Sequence, residues 1–404
     1  MRIGTARWAN TAAITSISLS QDGSGGFLAG SIVELCVVDE SYNINEQILG
    51  SAGVLTVSSI AADIGDLVQI GNLKSTQAAI SDEYKIKFNT DATATNYNRQ
   101  YIRGIGAAVV SQTASNSDFG VVTGTHADVP TSAFGAYVGQ VTNYSDGSND
   151  RAFTGLSGVI YNAWSNYAQV KTAAIRWNNT AAITTVQLEN TYAANWSTGS
   201  MLSTYAVPKN LIERQELTAE TGTATSVTFS SIPGTYDHLE LTMYARTDGG
   251  VTRRDIICSV NADTTNSNYV LQALDGDSST VSAFPNTGSS NTARYIARLT
   301  GNTATANAFG SSTTTFYNYT KTDRHKHYLS NSGNLPDNPY VRVSSSRFES
   351  TAAITSLVIT AESGDDFMVG SVFTLRGINA PAAAGTSDVA KLNGIETSDI
   401  AEVN

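Results

Sequence analysis

Three times along the chain, a T-A-A-I-T pentapeptide is followed by strict alternation of apolar and polar residues. Ile17 and Leu19 share one parity, as do Val186 and Leu188, and Leu357 and Ile359. Ser16, Ser18, Thr185, Gln187 and Ser356 take the other parity. A period of two is the mark of a half-buried β-strand. A variable turn rich in Gly, Asn and Asp comes next, and then a second strand opening on a Gly-Ser pair. Val33, Leu35 and Val37 line one face of it, with Leu202 and Thr204, and Phe373 and Leu375, in the later copies. Glu34, Ser203 and Thr374 point the other way. Further short strands are predicted at Ser226–Phe229 and Leu239–Tyr244, and almost no stretch carries a helical period. Many short strands divided by turn signals predict an all-β chain of tandem β-sandwich modules, jelly-roll-like.

The repeat is wider than the pentapeptide. Arg7-Trp8, Arg176-Trp177 and Arg347-Phe348 precede the three copies, and Gly30, Gly199 and Gly370 each stand 23 positions after the arginine. An aromatic residue, Phe27, Trp196 or Phe367, lies three positions before each glycine. Weaker matches pair Phe88-Asn89 with Val260-Asn261, Asn96-Tyr97 with Asn268-Tyr269, and Asn143-Tyr144 with Asn318-Tyr319. The copies are 169 and 171 residues apart, a domain's length rather than a solenoid's. The expected division is 1–45 as closing strands of an incomplete N-terminal module, 46–210 as module 1, 211–380 as module 2, and 381–404 as a linker and short helical or irregular tail. A lone strand pair cannot bury its apolar face. Residues 1–45 therefore imply a piece of a longer protein, or strands that complete a sheet elsewhere.

Composition narrows the functional classes. Only 15% of residues are charged, and Ser, Thr, Asn and Gly fill the surface instead, as suits turn-rich β-structure. The net charge of −11, with no basic tract, argues against nucleic acid as a partner. No apolar run is long enough for a membrane-spanning helix, and Met1-Arg2-Ile3-Gly4 does not open a signal peptide. Cys36 and Cys258 show no metal-binding spacing and read as free thiols.

Ser231-Ile232-Pro233-Gly234-Thr235-Tyr236-Asp237-His238-Leu239 resembles the opening stretch of modules in bacteriophage tail fibres and related virion structural proteins. The segment from T-A-A-I-T to Gly370-Ser371-Val372-Phe373-Thr374-Leu375-Arg376-Gly377-Ile378 resembles their close. Lys391-Leu392-Asn393-Gly394-Ile395-Glu396 is similar to segments between fibre modules. The second module matches best; in the first, Ile60-Ala61-Ala62-Asp63-Ile64 replaces the S-I-P-G-T-Y-D pattern, and after Glu396 the familiar A-G-A-T is replaced by Thr397-Ser398-Asp399. The resemblance implies a virion structural protein assembled in the host cytoplasm, with other virion proteins as partners. It also implies a homo-oligomer, commonly a trimer, acting as a tail-fibre spacer and in host-receptor adsorption. A capsid decoration or baseplate protein and a bacterial surface carbohydrate-binding module are the alternative readings.

No catalytic site, cofactor or metal is expected. No G-x-S-x-G, H-E-x-x-H or Walker pattern occurs, and no spacing singles out a carboxylate pair of the kind a depolymerase needs. His325 and His327 share a strand face, yet only Asp323 accompanies them, so the segment reads as a solvated basic patch. Module 1 carries four extra residues around Tyr161, Trp164 and Tyr167, whose aromatic rings in an Asn/Ser loop suit a host surface glycan or a protein contact. The aromatic of each Arg-aromatic pair is expected in the core. Arg7, Arg176 and Arg347 then face outward, and the sharper reading places them at a subunit interface.

Overall fold

The computed structural model describes residue 17 and residues 43–61, 66–78, 82–105, 108–115, 120–125, 133–145, 147–159, 168–190, 194–207, 211–335 and 337–378. Among these 58% of residues are in strands and no helix reaches seven residues, so the fold is all-β. The first twelve strands are β1 (Asn43–Ile48), β2 (Leu55–Val57), β3 (Asp66–Leu73), β4 (Asp82–Phe88), β5 (Tyr97–Ile105), β6 (Ala108–Ser115), β7 (Gly120–Gly124), β8 (Gly135–Thr142), β9 (Arg151–Val159), β10 (Gln169–Trp177), β11 (Val186–Asn190) and β12 (Met201–Val207). The next twelve repeat them: β13 (Leu211–Glu216), β14 (Ser226–Phe229), β15 (His238–Ala245), β16 (Arg253–Val260), β17 (Tyr269–Asp277), β18 (Thr280–Asn286), β19 (Tyr295–Thr300), β20 (Gly310–Tyr317), β21 (Lys326–Asn334), β22 (Tyr340–Phe348), β23 (Leu357–Ala361) and β24 (Val372–Ile378).

Each set builds one sandwich. A large sheet runs β1-β12-β3-β8-β9-β10-β5-β6 and faces a small sheet β2-β11-β4-β7; the second set gives β13-β24-β15-β20-β21-β22-β17-β18 and β14-β23-β16-β19. The chain crosses repeatedly between the two sheets, as in a jelly roll, and the β9–β10 hairpin widens the large one. β1 begins at Asn43 and pairs with β12, so it belongs to the first sandwich and not to the segment before it.

Between the sheets lie two separate apolar cores, one around Trp177, Trp196, Tyr84 and Leu188, the other around Phe348, Phe367, Phe373 and Leu357. Trp177 and Phe348 are buried there, on the inward parity of β10 and β22. Burying one such aromatic or aliphatic side chain contributes about 1.5–3 kcal/mol.

The repeated polar residues hold each sandwich closed. Asn89 and Asn261, both with left-handed backbone (φ 51° and 52°), accept from the amides of Thr184 and Thr185, and of Thr355 and Ser356. The same side chains donate to the Ala182 and Ala353 carbonyls at 2.8 Å. Ile183 and Ile354 amides donate to the Tyr144 and Tyr319 carbonyls, and Ile60 and Ile232 amides to the Thr184 and Thr355 carbonyls. The opening and closing stretches of each module therefore meet at the T-A-A-I-T segment. Gly199 and Gly370 adopt φ of 83° and 91°, a left-handed conformation that favours glycine. The following Ser200 and Ser371 hydroxyls bridge the Lys74 and Arg246 backbones.

Candidate functional site

The outward faces of the two large sheets pack against each other. Across this seam β5 faces β17 and β22, β6 faces β18, β9 faces β20 and β21, and β10 faces β21 and β22. Gln100 meets Ser278 at 3.1 Å, and the space beside Gly276 is filled by Ile102. One number rises as the other falls, so β5 and β17 run antiparallel where they meet. Small residues permit the approach: a Cβ on Gly333 would fall on the Ala174 methyl.

Two buried ion pairs anchor the seam. Arg376 of β24 donates to Asp66 of β3 at 2.8 Å, with side chains only 5% and 7% exposed. Thr242 donates to the same carboxylate at 3.2 Å, and the Asn143 amide to its other oxygen at 2.9 Å. Glu240 stands 3.9 Å from Arg376. Burial and the nearby Asp66 charge raise the Glu240 pKa, and Arg376 opposes them. The second pair is Arg176 Nε to Asp150 at 2.8 Å. The Tyr244 hydroxyl donates to the Asp150 carbonyl, and the Asp150 amide donates to Asn307. Burial raises the Asp150 pKa more than Arg176 lowers it.

Between the two large sheets lies an open cleft of about 370 Å³. Equivalent positions of both modules line it, in the pairs Val68/Glu240, Val138/Thr313, Gln140/Thr315, Thr154/Leu329 and Leu156/Asn331. In four of the five pairs one module supplies an apolar residue and the other a polar one. The cleft is thus near-symmetric in position and asymmetric in chemistry.

The sequence candidates fall in different places. Arg7, Tyr161, Trp164 and Tyr167 lie outside the described residues, as do His126, the tail beyond 378 and Cys36. Arg176 and Arg347 occupy matching positions on β10 and β22. Arg176 is buried in the seam between modules, where it also donates to Asn98 at 3.2 Å. Arg347 has a side chain 41% exposed and pairs with Glu349. His325 and His327 are exposed, and His327 stands opposite Arg347 in the β21–β22 register. Burial, then the Arg347 and His325 charges, lower the His327 pKa. Among the described residues no group of three His, Cys, Asp or Glu could hold a metal ion.

Sequence reasoning missed a charged cluster inside module 2. Arg342, 1% exposed, forms a two-pronged contact with Asp275 at 2.8 and 2.9 Å and reaches Asp255 at 2.9 Å. Arg253, Arg298 and Arg342 all approach the Tyr340 ring within 4.8–5.4 Å. Arg342 sits on the inward parity of β22, and a charged residue at an inward position was the available signal. In module 1 the matching position is Lys171, whose Nζ lies 3.9 Å from the Tyr101 ring. Buried cations also bind backbone: Arg151 and Lys326, at matching positions, donate to the Thr180 and Thr351 carbonyls at 2.6 and 3.0 Å.

No protein-family model matches the sequence, and no curated protein matches it. No helix among the described residues is long and apolar enough to cross a membrane.

Proposed function

We propose that this chain is a structural segment of a bacteriophage virion, a tail-fibre part that serves as a spacer and in host-receptor adsorption. The observation that carries this reading is where the repeated residues go. The Asn, Gly, Ser and T-A-A-I-T positions shared by the modules are spent on hydrogen bonds that close each sandwich. The S-I-P-G-T-Y-D-H-L stretch that resembles virion modules is part of that closure, with Pro233 accepting from the Tyr319 hydroxyl and His238 Nδ1 accepting from the Asn318 amide at 2.9 Å. A repeat whose side chains secure architecture suits a load-bearing building block. Other virion proteins and further copies of the chain, in a trimer, are the partners this reading names, with a host surface glycan at Tyr161, Trp164 and Tyr167.

One observation favours a second reading. The modules dock sheet to sheet instead of end to end, which makes a compact pair suited to a capsid decoration or baseplate protein. Mass spectrometry of purified virions, with gold-labelled antibody and electron microscopy, separates the readings. Label along the fibre supports the first, label on the head or baseplate supports the second, and absence from the particle removes both. Trp164→Ala tests adsorption, and host binding equal to wild type would discard the glycan role.

A further inference from the structure

We infer that the cleft between the two large sheets is a binding site for a small primary ammonium ion carried on an apolar chain of about four to six carbons. The walls supply the apolar half of the match. Val138, Leu156 and Leu329 remain 41%, 38% and 45% exposed although they lie between docked sheets. Apolar surface left open between docked sheets is space that a hydrocarbon chain fills with a gain from dehydration.

The polar half of the match is rich in acceptors. Glu240 is 3.9 Å from Arg376, beyond hydrogen-bond distance, because that guanidinium is bonded to Asp66. Asn331 Oδ1 is buried without a hydrogen-bond partner. Gln140 Oε1 is occupied by the Thr313 hydroxyl at 2.7 Å, and its Nε2 is left as a lone donor. An ammonium group brings a positive charge and three donors to the Glu240 carboxylate, whose in-register neighbours on the cleft wall are Thr315 and Leu329. An alcohol brings one donor and no charge. A carboxylate is repelled by Glu240 and by Asp66 behind it. The asymmetry of the cleft orients the ligand, with the head at Glu240 and the chain against Val68, Val138 and Leu156.

The test is calorimetric titration of the full chain with n-pentylammonium, n-pentanol and pentanoate. Pentylammonium is expected to bind saturably, about tenfold or more tighter than pentanol, with pentanoate not binding. Glu240→Gln is expected to bring pentylammonium down to the level of pentanol and leave pentanol unchanged. Leu329→Trp, which fills the cleft, is expected to abolish both. Equal affinity of the wild type for amine and alcohol, or no saturation by the amine, overturns the proposal without reference to any variant. Unchanged amine binding in Glu240→Gln or in Leu329→Trp overturns it as well.

Discussion

Replacing Arg376 with Met is expected to uncouple the two modules, while replacing its partner Asp66 with Asn is expected to be mild. Both groups are buried, so the loss of either leaves a charge behind, at a cost of about 3–5 kcal/mol when nothing else compensates it. The difference lies in what remains. Arg376→Met leaves Asp66 and Glu240 facing one another in a dehydrated seam with no cation between them. Asp66→Asn leaves Arg376 with Glu240, 3.9 Å away, and the one amide oxygen can still accept either from Arg376 and Thr242 or from the Asn143 amide, so only part of the set is lost. That variant should lose about 1–2 kcal/mol. The assay is urea unfolding read by two probes. All four tryptophans, Trp8, Trp164, Trp177 and Trp196, precede module 2, so their fluorescence reports on the first part of the chain. Far-ultraviolet circular dichroism reports on both modules. In the wild type the two curves should coincide. In Arg376→Met they should separate, with the first transition lowered by about 1 M urea or more. Equal midpoints for the two variants, or coincident curves in Arg376→Met, would refute the reasoning.

Further outcomes follow from the same geometry. The pKa values of Glu240 and Asp150 are raised from the ordinary 4.5 and 3.8, so the docked state holds their protons more tightly than the separated state does. Stability of docking should therefore rise as pH falls from neutral through the raised values towards the ordinary ones, and Glu240→Gln should flatten that slope in urea titrations across pH. Burial pushes the Cys258 thiol up to about 12. In a Cys36→Ser background, a disulfide reagent at pH 8 should label it only as fast as module 2 opens, and immediate labelling in the native state would show the core is accessible. Asn261→Ala removes hydrogen bonds to Ala353, Thr355 and Ser356 and puts a Cβ-bearing residue with no side-chain acceptor at φ 52°. It should cost about 2–4 kcal/mol in thermal or urea unfolding of module 2.

The linear sequence was sufficient for the class of fold and its repetition. Alternation of apolar residues fixes which side of a strand is buried, because successive side chains point to opposite faces. Val186 and Leu188, and Leu357 and Ile359, are accordingly buried where the alternation placed them, and Trp177 and Phe348 are in the cores. The repeated glycine could be found by spacing alone, and the structure supplies its cause, a left-handed backbone. The seam was out of reach. Arg176 and Arg347 are equivalent in sequence, yet one is buried against the other module and one is partly exposed, because a docking contact depends on which surfaces meet and not on local pattern. Asp66 and Arg376 are 310 residues apart in the chain, and no periodicity joins them. Periodicity reports the environment of a strand, one residue at a time. Pairing across sheets, and the cleft it leaves, exists only once both modules have folded and their outward faces have closed on each other.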